Sequence, residues 1–192
     1  MCKKCELKPV YEFTNKRKLC ARCFVRYFQK KFFYIIRKFG MIKSDDIVGY
    51  ENRGDFRGVV LEDSLKIFSK KAGIGIVKLP AYLRSQIDKK ISKTAISSTL
   101  DLEANEVIRT LIKERISELK KINPIIGKII KPLYLFLDRE VLLYAKIRKL
   151  NFKNKKIKKT KISNFIDELE KKHPEVKRAV VNSYLKMLGG RD

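Results

Sequence analysis

The sequence contains neither a Gly-x-Gly-x-x-Gly run nor a Gly-x-x-x-x-Gly-Lys-Ser/Thr run, which excludes an ordinary glycine-rich phosphate cradle. It has one histidine, His173, set before Pro174 at a helix junction, where a structural or capping role outweighs general-base work. No Ser/His/Asp arrangement can be built on it. No apolar run approaches the ~20 residues of a membrane span, so no membrane partner is expected. Acid is scarce: 46 Lys and Arg stand against 21 Asp and Glu, a net charge of +25 over 192 residues. Lys-rich drift in composition normally raises Glu along with Lys, and here Glu lags behind. An excess of this size attracts a polyanion, and nucleic acid is the expected partner. A hydrophobic content of 44% is enough for a packed core, and the length suits one domain with a small appendage.

Cysteine is confined to the first 24 residues. Cys2 and Cys5 form one CxxC pair, Cys20 and Cys23 a second, and fourteen residues separate them. Each pair points two sulfurs into one hemisphere, and two pairs close a tetrahedron around Zn²⁺. The spacing falls just short of the usual zinc-ribbon range. Because protein fills all four positions, the expected site is structural. Two disulfides are the alternative. A Lys-rich chain without a signal peptide points instead to a reducing, cytoplasmic compartment.

After the second pair, Phe24, Phe28, Phe32, Ile35, Ile36 and Phe39 recur at helical spacing, and Gly40 is a natural stop. This aromatic stripe reads as a face packed on the next domain. Arg26, Lys30, Arg37 and Lys38 fall elsewhere on the barrel and are candidate phosphate contacts. Residues 1–43 hold 13 basic and 2 acidic residues. From Ser44 onward, short strands and helices alternate, which predicts an α/β fold with a parallel, doubly wound sheet. Strands are expected at Asp46–Tyr50, Gly58–Leu61, Gly75–Leu79 and Lys93–Ser97, with helices over Glu62–Lys71 and from Pro80. Ser98 and Thr99 offer a cap to the longest helix, whose apolar face would be Ala104, Val107, Ile108, Leu111, Ile112 and Ile116. Asp101 and Glu103 read as charges complementing the start of that helix. Lys128–Lys131 is an extended run. Helices are expected at Asp138–Leu150, Lys161–Lys172 and Pro174–Leu188. Between Lys146 and Lys161 lie nine basic residues and no acid, and Lys153, Lys155, Lys156, Lys158 and Lys159 are further candidate nucleic-acid contacts.

Taken in order, these features resemble the archaeal and eukaryotic tRNA 2-thiolation enzymes of the PP-loop ATP-pyrophosphatase superfamily. The paired-CxxC finger running into an aromatic, basic helix is similar to Cys2 through Gly40. Leu100-Asp-Leu-Glu-Ala104 looks like the family's L-D-x-E-A segment, and Lys131-Pro-Leu133 like its K-P-L element. Asp138 to Ala145 resembles the family's following helix, and Phe165 to Pro174 its F-L-x-E-L-E-x-x-H-P stretch. The departures fall on chemistry. The SGGKDS loop is absent, its nearest echo being Val60-Leu-Glu-Asp-Ser64. The internal cysteines that hold an iron–sulfur cluster in the family have no counterpart, and neither does its closing second finger.

The resemblance therefore implies a degenerate, non-catalytic member. It would have a four-cysteine zinc ribbon over 1–43, a reduced PP-loop-like, Rossmann-like domain over 44–137 and a basic helical region over 138–192. Its implied partners are tRNA and a catalytic thiolation paralogue. A free-standing zinc-ribbon regulator of DNA or RNA is the alternative. A residual ATP-activating enzyme built around Asp63, Ser64 and Asp101 is a third reading. The cysteine spacing makes a direct prediction. Metal analysis of the pure protein should return about one equivalent of zinc, and Cys20→Ser should lose it and unfold the ribbon. Iron in place of zinc, or four freely reactive thiols, would contradict it.

Overall fold

The computed structural model describes residues 1–80, 90–153 and 160–187. At the N-terminus, β1 (Tyr11–Glu12) and β2 (Lys18–Leu19) pair antiparallel across a tight turn. Lys16 takes left-handed backbone there (φ 63°), and Asn15 Oδ1 accepts the Arg17 N–H at 3.2 Å. Helix α1 (Ala21–Lys38) starts directly on Cys20, so Cys23 sits in its first turn rather than ahead of it. Phe24, Phe28, Phe32, Ile35 and Ile36 form its buried stripe. The helix ends in a Schellman turn. Gly40 is left-handed (φ 58°), its N–H reaches Arg37 C=O at 3.1 Å, and Met41 N–H reaches Ile36 C=O at 2.9 Å.

The α/β part continues with β3 (Ile47–Glu51), α2 (Phe56–Ala72), β4 (Gly75–Leu79), β5 (Lys93–Ala95) and α3 (Leu100–Ile112). A 3-10 segment, Ile116–Ile122, leads to β6 (Ile125–Ile126) and β7 (Ile129–Ile130). The sheet order is β4-β3-β5-β7-β6, parallel except for the β6–β7 hairpin at one edge. The chain steps one way from β3 to β4 and then returns to the other side of β3 for β5. The gap between the carboxyl ends of β3 and β5 is thus a topological switch point, where open α/β sheets present their ligand crevice.

Several sequence expectations need correction, among them the Ser98 or Thr99 cap: Thr99 precedes the helix from Leu100, but its hydroxyl goes to Asp138 and caps no backbone N–H. Gly58–Leu61 is not a strand but lies within the opening turns of α2. Asp55 caps that helix, accepting the Gly58 N–H at 2.8 Å, and the burial of Val60 and Leu61 outweighs the strand preference of two adjacent valines. The helix from Asp101 is not the longest, and its apolar face stops at Val107: Leu111, Ile112 and Ile116 are 47%, 63% and 69% exposed. The extended run expected at Lys128–Lys131 holds β7; its partner β6, reached through left-handed Gly127 (φ 58°), is too short to show alternation. The helix expected from Pro80 falls on 81–89, outside the described residues, as does Gly189 at the far end.

The remaining helices are α4 (Asp138–Ile147), α5 (Lys161–Lys172) and α6 (Val176–Met187). Helices α1 and α2 pack on α4, whereas α3 packs on α6. The aromatic stripe of α1 is satisfied within the chain. The Phe28 ring lies 4.1 Å from those of both Phe136 and Tyr144, centroid to centroid.

At the centre of these packings sits Glu140, fully buried in the first turn of α4. Its carboxylate accepts from Lys31 Nζ of α1 at 2.9 Å and from the Leu137 N–H at 2.9 Å. Arg178 of α6 and Tyr11 of the ribbon each approach it at 3.4 Å. Burial alone would push its pKa up, but the Lys31 and Arg178 cations and the Leu137 N–H hold it below the ordinary glutamate value of 4.5. A lowered folded-state value means stability that is complete above pH 4.5 and lost as acid titrates the folded carboxylate. Glu140→Ala, which strands the Lys31 charge in the interior, should cost about 3–5 kcal/mol in urea denaturation. It should also remove part of the acid-induced loss seen in wild type. An unchanged unfolding midpoint would contradict this account of the core.

Candidate functional site

The four cysteines of the ribbon converge. Cys5 Sγ lies 3.7, 3.2 and 3.5 Å from those of Cys2, Cys20 and Cys23, and all four sulfurs are within 4.8 Å of one another. None forms a disulfide. Four thiolates at about 2.3 Å from one tetrahedral ion would lie about 3.8 Å apart, so the donor set fits a single metal ion. A cubane cluster interposes iron between each thiolate and its core and would hold the sulfurs farther apart.

Beside Cys5, between the ribbon and the exposed side of α1, opens a cleft of about 780 Å³. Arg22, Arg26 and Lys30 follow one another every fourth residue along its wall, a step of about 6 Å; Lys4 and Lys31 also line it, the latter paired with Glu140. Tyr27 and the half-exposed Tyr34 lie among these cations. Of the sequence candidates, Arg26 and Lys30 therefore stand together. Arg37 and Lys38 lie at the far end of the same helix, both exposed. Lys153 lies elsewhere, its N–H donated to Gly54 C=O at 2.7 Å. Lys155, Lys156, Lys158 and Lys159 fall outside the described residues. Lys4, Arg22 and Tyr34 were missed by sequence reasoning, although the i, i+4 spacing of Arg22, Arg26 and Lys30 was a readable signal.

The switch point holds a different arrangement. The strand-to-helix turn there is Asn52–Asp55, not Val60–Ser64, which lies inside α2. Asn52 Oδ1 accepts the Gly54 N–H and Asp55 Oδ1 the Gly58 N–H, each at 2.8 Å. Two amides that a phosphate would need are thus taken by the chain's own side chains. Gly58 packs so closely that a Cβ would come within 2.8 Å of Asn52 Oδ1 and 3.1 Å of Arg53 N, leaving little slack for the turn to open. Asp63, Ser64 and Asp101 are not brought together. Asp63 accepts from Tyr144 at 2.8 Å and Arg148 at 3.1 Å, whereas Asp101 serves the Asp138 N–H and Lys177.

Next to this turn, a second cleft of about 410 Å³ runs between α3 and the two C-terminal helices, and its charges are mutually satisfied. Arg57 forks onto Asp138, which also accepts from Thr99 at 2.7 Å. Lys177 reaches Asp101, Asp167 and Glu170 at 2.6, 2.8 and 2.7 Å. Burial would lower Lys177, but three carboxylates raise it above an ordinary lysine. Asp101, having one cation and facing Asp138, is instead raised by burial and by that neighbouring carboxylate. Glu103 pairs with buried Lys131 at 2.9 Å. Both acids of the L-D-x-E-A segment are therefore held in ion pairs at the start of α3, in line with the sequence reading of helix-start charges.

No protein-family model matches the chain, and no curated protein does. Among solved structures it is similar to the U34-tRNA thiolase NcsA from Methanococcus maripaludis, solved with its [4Fe-4S] cluster. The superposition has a TM-score of 0.76 at 18% identity and covers 100% of this chain and 89% of that one. The fold is tRNA-thiolase-like. No helix among the described residues is long and apolar enough to cross a membrane.

The self-capped turn generates a stability prediction. Asp55→Ala removes the α2 cap and should cost about 1 kcal/mol in urea denaturation, with the denaturant slope unchanged. No loss of stability would show that Asp55 does not hold the Gly58 amide.

Proposed function

We propose that this chain is a tRNA-binding, non-catalytic subunit of a tRNA uridine 2-thiolation complex, paired with a catalytic PP-loop paralogue. The observation that carries the reading is the α1 cleft: cations at one-turn intervals, interleaved with tyrosines, on a fold shared end to end with a tRNA thiolase. The solved relative is a U34-tRNA thiolase and holds a [4Fe-4S] cluster. Here all four cysteines lie in the ribbon, at spacings suited to one ion, so the metal we assign is a structural Zn²⁺. Cys2, Cys5, Cys20 and Cys23 would hold it, and its contribution would be to fix the ribbon against α1.

The non-catalytic part of the reading is supported by the Asn52–Asp55 turn, whose amides are engaged by the chain itself. Pairing is supported by the far end of the apolar face expected on the helix from Asp101. The aromatic stripe of α1 is covered within the chain, but Leu111 and Ile112 at the end of α3 and Ile116 in the 3-10 segment after it are exposed apolar side chains for a partner to cover.

Two measurements test this function. Binding of folded tRNA should be salt-dependent: if about six phosphates are neutralised, affinity should fall on the order of a thousandfold between about 50 and 200 mM salt. The double variant Arg26→Gln, Lys30→Gln should weaken it on the order of tenfold and flatten the salt slope by about two. Equal affinity for duplex DNA and tRNA would favour a free-standing regulator instead. Titration with Mg·ATP should give no heat and no AMP, and micromolar binding would overturn the non-catalytic assignment.

A further inference from the structure

Opposite the α1 cleft, on the other side of Tyr27, lies a smaller cavity of about 240 Å³ where the ribbon meets the C-terminal helices. Three arginines from three distant parts of the chain line it: Arg17 of the ribbon turn, Arg139 of α4 and Arg178 of α6. Glu175, half-exposed, is the one carboxylate on its wall among the described residues. Arg17 has no acidic partner among the described residues, and its Nε is buried there with no hydrogen-bond acceptor. Its guanidinium is clamped by aromatic rings, with Cζ 4.2 Å from the Phe13 ring centroid and 5.6 Å from that of Tyr27. Arg139 reaches the Glu170 carboxylate only at 4.0 Å. Arg178 spends one nitrogen on Glu140 at 3.4 Å and another on Glu175 at 3.5 Å.

A buried guanidinium donor without an acceptor costs free energy that folding must offset, and a native structure tolerates few of them. Stacking against two rings fixes the orientation of Arg17 in advance, so little side-chain entropy remains to be lost when an acceptor arrives. Guanidinium forks match tetrahedral oxyanions, and a ring of three around one small cavity supplies more donors than a single carboxylate can accept.

We propose that Arg17, Arg139 and Arg178 form a binding site for one phosphate group, continuous through Tyr27 with the α1 cleft. A backbone phosphate of bound RNA is one source of that group, and free phosphate or pyrophosphate is the other. The RNA source rests on the tRNA-binding reading; the free-anion source does not.

Arg139→Gln is the variant of choice, because Arg139 is half-exposed, whereas Arg178 also holds Glu140. Arg17→Lys, which keeps the charge and loses the fork, is the second. Two titrations are run on the intact chain: labelled tRNA at a series of salt concentrations, and pyrophosphate followed by ³¹P NMR. The expected result is an affinity for tRNA lower by on the order of tenfold in Arg139→Gln, with the salt slope reduced by about one. Pyrophosphate should compete with tRNA in wild type and not in the variant, and Arg17→Lys should fall between the two. Undiminished tRNA binding in both variants, beside a clear loss in Arg26→Gln, Lys30→Gln, would overturn the phosphate site and leave the tRNA reading intact. Should tRNA fail to bind the wild type, the tRNA reading falls. Saturable pyrophosphate binding lost in Arg139→Gln would then sustain a free-anion site, and no binding would overturn it.

Discussion

One buried carboxylate ties the ribbon, α1 and α6 to the start of α4. Glu140 is completely enclosed, and an ion in that position is tolerable only while its donors stay in place. Those donors come from α1, α6 and the ribbon, through Lys31, Arg178 and Tyr11, elements up to 129 residues away in sequence. Nonpolar packing alone would let α1 slide along α4. A buried charge with directional partners resists sliding, because each displaced donor leaves desolvation uncompensated. The register of the ribbon against the tail follows, and with it the two basic cavities that flank Tyr27.

The distribution of unpaired charge separates binding from chemistry. Around the switch point, Arg57, Lys131 and Lys177 are each matched to carboxylates within 3 Å, so their fields largely cancel a short distance away. On α1, Arg22, Arg26 and Lys30 have no such carboxylate partners among the described residues, so their positive field is not cancelled by neighbouring acids. The crevice that such a fold ordinarily devotes to a nucleotide is internally neutralised and capped, while the face beside the cysteine ribbon is left electropositive. This contrast is the physical basis of the proposal that the chain grips tRNA rather than acting on it.

Local signals in the sequence held where spacing or a cap fixed them, and long-range ones were invisible. The paired CxxC motifs, the Gly40 stop and the bounds of α5 from Lys161 to Lys172 could be read from spacing and caps alone. The fold class followed from alternation and from the order of short motifs. Gly58–Leu61 misled because β-branched residues look like a strand until Asp55 is seen capping the helix that contains them. Leu111, Ile112 and Ile116 extended a helical period past the point where anything packs on it, since periodicity reports a face and not its cover. Glu140 carried no sequence signal beyond its place at the start of a helix. Arg17, Arg139 and Arg178 belong to segments over 30 residues apart, and only the fold assembles them.

The most direct test of the account is the level of 2-thiouridine in tRNA from cells lacking this chain, measured by mass spectrometry beside a tagged strain from which its partners are recovered. The account predicts that thiolation falls in the deletion and that a PP-loop paralogue co-purifies with the tagged chain. Unchanged 2-thiouridine, with the chain recovered free of any such paralogue, would contradict it.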